Sequence, residues 1–96
     1  MLPGSKVTNG MNEDLEVGRR RVKFRAQHRG TREMDWMLGR YAEATLAHMS
    51  AADLQLFEQL LTVPDTEIQA WLIEPTTYPQ GEFQDLLAQI RAFHNL

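Results

Sequence analysis

The chain has 96 residues, 43% of them apolar and 24% charged, which is the balance of one globular domain with a modest core. It contains no cysteine, so disulfides, thiolate zinc sites and cysteine nucleophiles are excluded together. The net charge of -3 is unevenly placed: residues 1–40 carry nine Lys/Arg against five Asp/Glu, whereas residues 41–96 carry one Arg against eight acids.

Other broad classes are also disfavoured. No apolar run approaches the roughly 20 residues that span a bilayer, and Met1 to Gly10 lacks the apolar segment of a signal peptide. The expectation is a cytoplasmic, monomeric protein that does not engage a membrane. Seven of the ten basic residues fall between Arg19 and Arg32. Such a basic head on an acidic body favours oriented docking on a partner.

In chain order, residues 1–14 are rich in Gly, Pro, Asn, Ser and Thr and offer little to bury, so a disordered tail is expected there. Residues 15–96 then form a helical domain. From Leu15 to His28 the residues favour a helix; Leu15, Val22 and Ala26 share a face and Phe24 lies off it. Gly30 closes this helix, because glycine adopts a positive φ without steric cost.

Thr31 is the expected N-cap of a second helix, with Glu33 and Asp35 in its first turn, where the helix dipole favours acids. Met34, Met37, Leu38 and Tyr41 form its apolar stripe, and the helix should reach about His48. Ser50 and Asp53 resemble a capping box ahead of a third helix bearing Leu54, Phe57, Leu60 and Leu61. Val63-Pro64 ends that helix, since the residue before proline is pushed out of the α region.

Asp65 is expected to cap a short fourth helix carrying Ile68, Trp71 and Leu72, closed by Glu74-Pro75. Thr76 to Gly81 is a loop. The last helix carries Phe83, Leu86, Leu87, Ile90 and Phe93. No segment alternates as a strand does, so the predicted fold is all-α: a small five-helix antiparallel bundle. Trp71 is expected in the core. Trp36 competes with Met34, Met37 and Leu38 for a narrow core: either the second helix is broadly buried or Trp36 forms a partly exposed apolar contact, with burial the default assignment.

Chemistry-bearing constellations are sparse. His28, His48 and His94 are twenty or more residues apart, and no HExxH or H-x₃-H spacing sets two imidazoles on one helical face. There is no Walker A run and no G-x-G-x-x-G. Glu33 and Asp35 are two apart and point to different sides of a helix, and Ser50 is accounted for as a cap. The expectation is a non-enzyme with no metal site and no cofactor of its own.

Two features remain. The basic run Arg19 to Arg32 is a solvated helix face, a docking surface for an acidic protein, or a phosphate-binding surface. The last of these would make the chain a small nucleic-acid-binding regulator, although Phe24 alone does not make a stacking platform. The other feature is the turn Arg29-Gly30-Thr31-Arg32-Glu33-Met34-Asp35. A glycine turn fixes Arg29 at one helix end and Glu33 in the first turn of the next. The two are expected as neighbours on an exposed corner, pre-ordered for recognition.

The Arg29-Gly30-x-x-Glu33 turn resembles the signature of the SdhE-type succinate dehydrogenase flavinylation assembly factors. The basic helix ending in His28-Arg29-Gly30 resembles the first helix of that family. Phe57-Glu58-Gln59-Leu60-Leu61, Pro64-Asp65 and Ile68-x-x-Trp71-Leu72 resemble its third and fourth helices, and the likeness covers residues 19–93. It implies a helical chaperone that binds the flavoprotein subunit of succinate dehydrogenase, or of fumarate reductase, and promotes covalent attachment of FAD to a histidine of that partner. FAD would belong to the client. Arg29, Gly30 and Glu33 would be the contact residues by this resemblance, with Arg32 and Asp35 as accessories from their placement in the turn.

Overall fold

The computed structural model describes the backbone of residues 3–77 and 79–96, and side chains from Leu15 onward except that of Tyr78. Among these residues there are five α-helices and no strand: α1 Pro3–Gln27, α2 Arg32–Thr45, α3 Ala51–Leu60, α4 Asp65–Ile73 and α5 Phe83–Phe93. Short 3-10 turns span Leu46–His48 and Pro75–Thr77. The backbone of α1 begins ahead of the expected Leu15. The disordered tail expected over residues 1–14 lies outside the residues described at the level of side chains.

Local chemistry sets the helix boundaries. Thr31 caps α2 as expected: its Oγ1 accepts from the Met34 amide at 3.2 Å, and its carbonyl takes the first helical bond, from the Asp35 amide, at 2.9 Å. Ser50 Oγ accepts from the Asp53 amide at 3.1 Å and starts α3. The far end of α2 tightens into the Leu46–His48 turn, a common way for a last turn to satisfy its carbonyls. At α4 the cap is Pro64 rather than Asp65, and it makes no side-chain capping bond. Asp65 lies one residue further, in the first turn, where its carboxylate is taken up by Arg29.

α1 and α2 pack most extensively against each other, α3 lies against α1 and α5, and α5 also meets α2 and α4. Gly39 lets α1 and α2 come close, since a Cβ there would stand 3.0 Å from Gln27 Cγ. The core runs from Val22 and Ala26 through Met34, Leu38, Phe57 and Leu60 to Ile68, Leu72, Leu87 and Ile90, all fully buried. Each large apolar side chain among them contributes about 1.5–3 kcal/mol by leaving water. Tyr41 ties the layers together: its ring meets Phe57 edge-on at 5.6 Å and Phe93 at 5.7 Å, and its hydroxyl donates to Gln89 Oε1 at 3.1 Å.

Three aromatic assignments change. Trp36 is 51% exposed rather than buried, because Met34, Met37 and Leu38 already fill the inward arc of α2. Trp71 is only partly buried and packs on the rim of the core. Phe93, expected on the apolar stripe of α5, keeps 41% of its surface exposed.

Candidate functional site

The turn between α1 and α2 is where the expected site residues meet. Gly30 has φ +110°, and a Cβ built on it would touch nothing within 4 Å. Glycine is therefore needed here for the backbone conformation, and the side it would present faces open space. Around it the turn is fastened at three points. Thr31 caps α2, the Arg29 amide donates to Asp35 Oδ1, and the Arg29 side chain reaches across to the α3–α4 connection.

That last contact departs from the expected geometry. Arg29 does not project from an exposed corner and does not pair with Glu33. Its Nε donates to Asp65 Oδ1 at 2.7 Å, and its Nη2 lies 2.7 Å from the same oxygen. Nη1 donates to the Leu61 carbonyl at 2.6 Å and Nη2 to the Val63 carbonyl at 3.0 Å. The Arg29 side chain is 10% exposed and that of Asp65 20%. One guanidinium thus satisfies two loop carbonyls and a carboxylate, which matches the several donors and fixed fork of arginine.

The other residues divide cleanly. Asp35 is half-buried and holds the turn from within. Gly30, Arg32 and Glu33 face outward, and Arg32 has no ion-pair partner among the described residues. Glu33 is oriented by Gln69 of α4, whose Nε2 donates to Glu33 Oε1 at 2.7 Å. The corner therefore presents one fixed carboxylate, one free guanidinium and a bare glycine backbone. Asp65 and Gln69 had no place among the sequence-derived site residues. They lie 36 positions from Arg29 and Glu33, and no local periodicity links residues so far apart.

The basic run is partly consumed by the fold. Arg19 Nη2 donates to the Met49 carbonyl at 3.0 Å. Arg21 forks onto Glu58, with Nε to Oε2 at 2.6 Å and Nη2 to Oε1 at 3.0 Å, and Arg25 approaches the same carboxylate at 3.7 Å. The Glu58 contacts hold α1 on α3, and that of Arg19 holds α1 on the connection between α2 and α3. The hydrogen bond from Arg21 pulls the Glu58 carboxyl below its ordinary value, against a smaller opposing effect of burial. Among the described residues, Arg20, Lys23 and Arg32 are the members of the run without a side-chain partner.

His28, His48 and His94 remain apart, and among the described residues no group of three His, Cys, Asp or Glu is placed to hold a metal ion. No described helix is long and apolar enough to cross a membrane.

Residues 20–94 match the family model described as "Flavinator of succinate dehydrogenase". The chain is 38% identical over 87 residues to the FAD assembly factor SdhE of Acetobacter pasteurianus, covering 90% of this chain and 80% of that protein. It is 32% identical over 81 residues to the protein of the same name from Coxiella burnetii, covering 84% and 95% respectively. Against the mitochondrial succinate dehydrogenase assembly factor 2 of Komagataella phaffii it is 33% identical over 63 residues, only a third of that longer protein. No solved structure matches the chain. The turn, the α3–α4 connection it is clamped to, and α5 all fall inside the matched region, and the chain belongs to the succinate dehydrogenase flavinator family.

Proposed function

We propose that this protein is an assembly factor that binds the flavoprotein subunit of succinate dehydrogenase and promotes covalent attachment of FAD to it. The observation that carries this reading is the division of labour in the turn. Arg29 and Asp35 lock it from inside, and Gly30, Arg32 and Glu33 are left facing out, with the backbone of the turn and the Glu33 carboxylate held in place. A surface ordered before it meets its partner loses little entropy on binding. The family membership supports the choice of client.

In this reading the factor supplies no catalytic group. Glu33 and Arg32 contact the flavoprotein, and the bare backbone at Gly30 permits close approach. The bound factor holds its client in the conformation in which the client's own residues react with FAD. The protein acts as a monomer in the cytoplasm, and fumarate reductase is a second candidate client.

The nucleic-acid reading loses ground for a structural reason. Four of the seven arginines and lysines in the basic run are engaged by carbonyls or carboxylates of the fold, which leaves three for phosphates. A strain lacking this protein tests the main proposal. Its flavoprotein band on a denaturing gel should lose most flavin fluorescence, restored by the wild-type chain and not by Glu33→Ala. Full flavin fluorescence in the deletion strain would defeat the proposal.

A further inference from the structure

The outward face of α2 continues past the turn. Glu33, Trp36 and Arg40 are spaced to share one side of the helix. Trp36 is half exposed, yet it is held in place: its ring lies against His94 at 4.6 Å and 39°. His94 is fixed in turn, because its Nε2 donates to the Met37 carbonyl at 2.7 Å. Phe93 meets His94 edge-on at 4.9 Å and is 41% exposed. Trp36, Arg40, Phe93, His94 and Asn95 together line an open groove of about 330 Å³.

The chemistry of this groove selects its occupant. Two aromatic side chains stay in contact with water although the core is otherwise apolar and well filled, and exposed aromatics beside an arginine are the usual composition of a binding hot spot. The lining contains one full cation and no acid, and Arg40 has no ion-pair partner among the described residues. A basic segment would be repelled. A nucleic-acid strand carries a row of phosphates, and those beyond the one on Arg40 would meet Glu33 and Glu43, seven positions before and three after it on the same helix. A single carboxylate next to an apolar side chain suits both parts: the apolar group rests on Trp36 and Phe93, and the carboxylate takes the Arg40 fork.

We propose that this groove receives an acidic–apolar peptide segment of the client flavoprotein, as a second anchor beside Glu33. The proposal rests on the client identified above, and the test separates the two. Binding of the full-length chain to the purified apo-flavoprotein subunit of succinate dehydrogenase is measured for the wild type and for Trp36→Ala, Arg40→Glu, Arg40→Lys and Glu33→Ala. Circular dichroism verifies that each variant is folded.

Trp36→Ala and Arg40→Glu should each weaken binding by roughly tenfold or more, with Arg40→Lys intermediate because it keeps the charge and loses the fork. In a Trp71→Phe background, Trp36 is the one remaining tryptophan, and client binding should shield it from acrylamide quenching. If Glu33→Ala weakens binding while Trp36→Ala and Arg40→Glu stay within about twofold, the groove is not an anchor and the client assignment stands. If the wild type does not bind the flavoprotein, both proposals fall. Shielding of Trp36 by a second copy of this chain, or by a single-stranded oligonucleotide at low salt, would overturn the groove proposal.

Discussion

Replacing Arg29 by alanine should destabilise the fold rather than merely blunt a contact surface. The substitution strands Asp65 Oδ1 and the carbonyls of Leu61 and Val63, all now served by one guanidinium at 2.6–3.0 Å. Hydrogen bonds that involve a charged group contribute about 1.5–3 kcal/mol each, and breaking a fully buried ion pair costs about 3–5 kcal/mol. Here the two side chains keep 10% and 20% exposure, so water recovers part of the loss, and a net cost of about 2–4 kcal/mol is expected. For a domain of this size each kcal/mol lowers Tm by roughly 4–8 °C.

The assay is urea unfolding followed by circular dichroism, arranged as a double-mutant cycle with Asp65→Asn. Arg29→Ala and Asp65→Asn should be coupled by about 1 kcal/mol or more, because they share one interaction. Glu33→Ala should cost about 0.5 kcal/mol or less, as expected of an exposed side chain. An Arg29→Ala variant within about 0.5 kcal/mol of wild type would refute the clamp. It would return Arg29 to the role of an exposed contact residue.

The remaining predictions concern the turn and the basic helix. Gly30→Ala should lose about 1–2 kcal/mol in the same unfolding assay through the positive φ alone, since its methyl group meets no neighbour; an unchanged midpoint would show that the turn can relax. Gly39→Leu should cost about 1–3 kcal/mol by forcing α1 and α2 apart at Gln27, again read by urea unfolding.

Glu58 titrates below its ordinary value in the folded protein. Its contribution is therefore present above the carboxylate range and is lost as pH falls through the lowered value. Glu58→Gln should accordingly be less stable than wild type near pH 7 and approach it near pH 3; a constant gap between the two pH values would contradict this. Finally, any DNA binding through the basic run should show a log–log salt slope no steeper than about -2.7, the value for the three free cations of that run; a slope nearer -6 would revive the nucleic-acid reading.

The helices were legible in the sequence because their signals are local. Thr31 and Ser50 cap α2 and α3 as expected, α3 stops at Leu60, ahead of the expected Val63-Pro64, and the stripe from Met34 to Tyr41 is buried. Gly30 adopts the positive φ that its position between two helices requires. The illegible parts depend on tertiary proximity. Asp65 has the composition of a helix cap, and only folding shows that its carboxylate is held by Arg29. Trp36 has the hydrophobicity of a core residue. Its exposure follows from three neighbours on α2 occupying the inward arc first. The same distinction recasts the turn: its five expected site residues comprise two that fasten it from inside and three that face outward.

The most direct test of the central claim is reconstitution. Apo-flavoprotein subunit and FAD are incubated with and without this protein, and covalently bound flavin is measured after denaturation. Wild type should raise the yield of flavinylated subunit several-fold, and Glu33→Ala, folded but altered at its outward face, should not. Equal flavinylation with and without the wild-type chain would contradict the account.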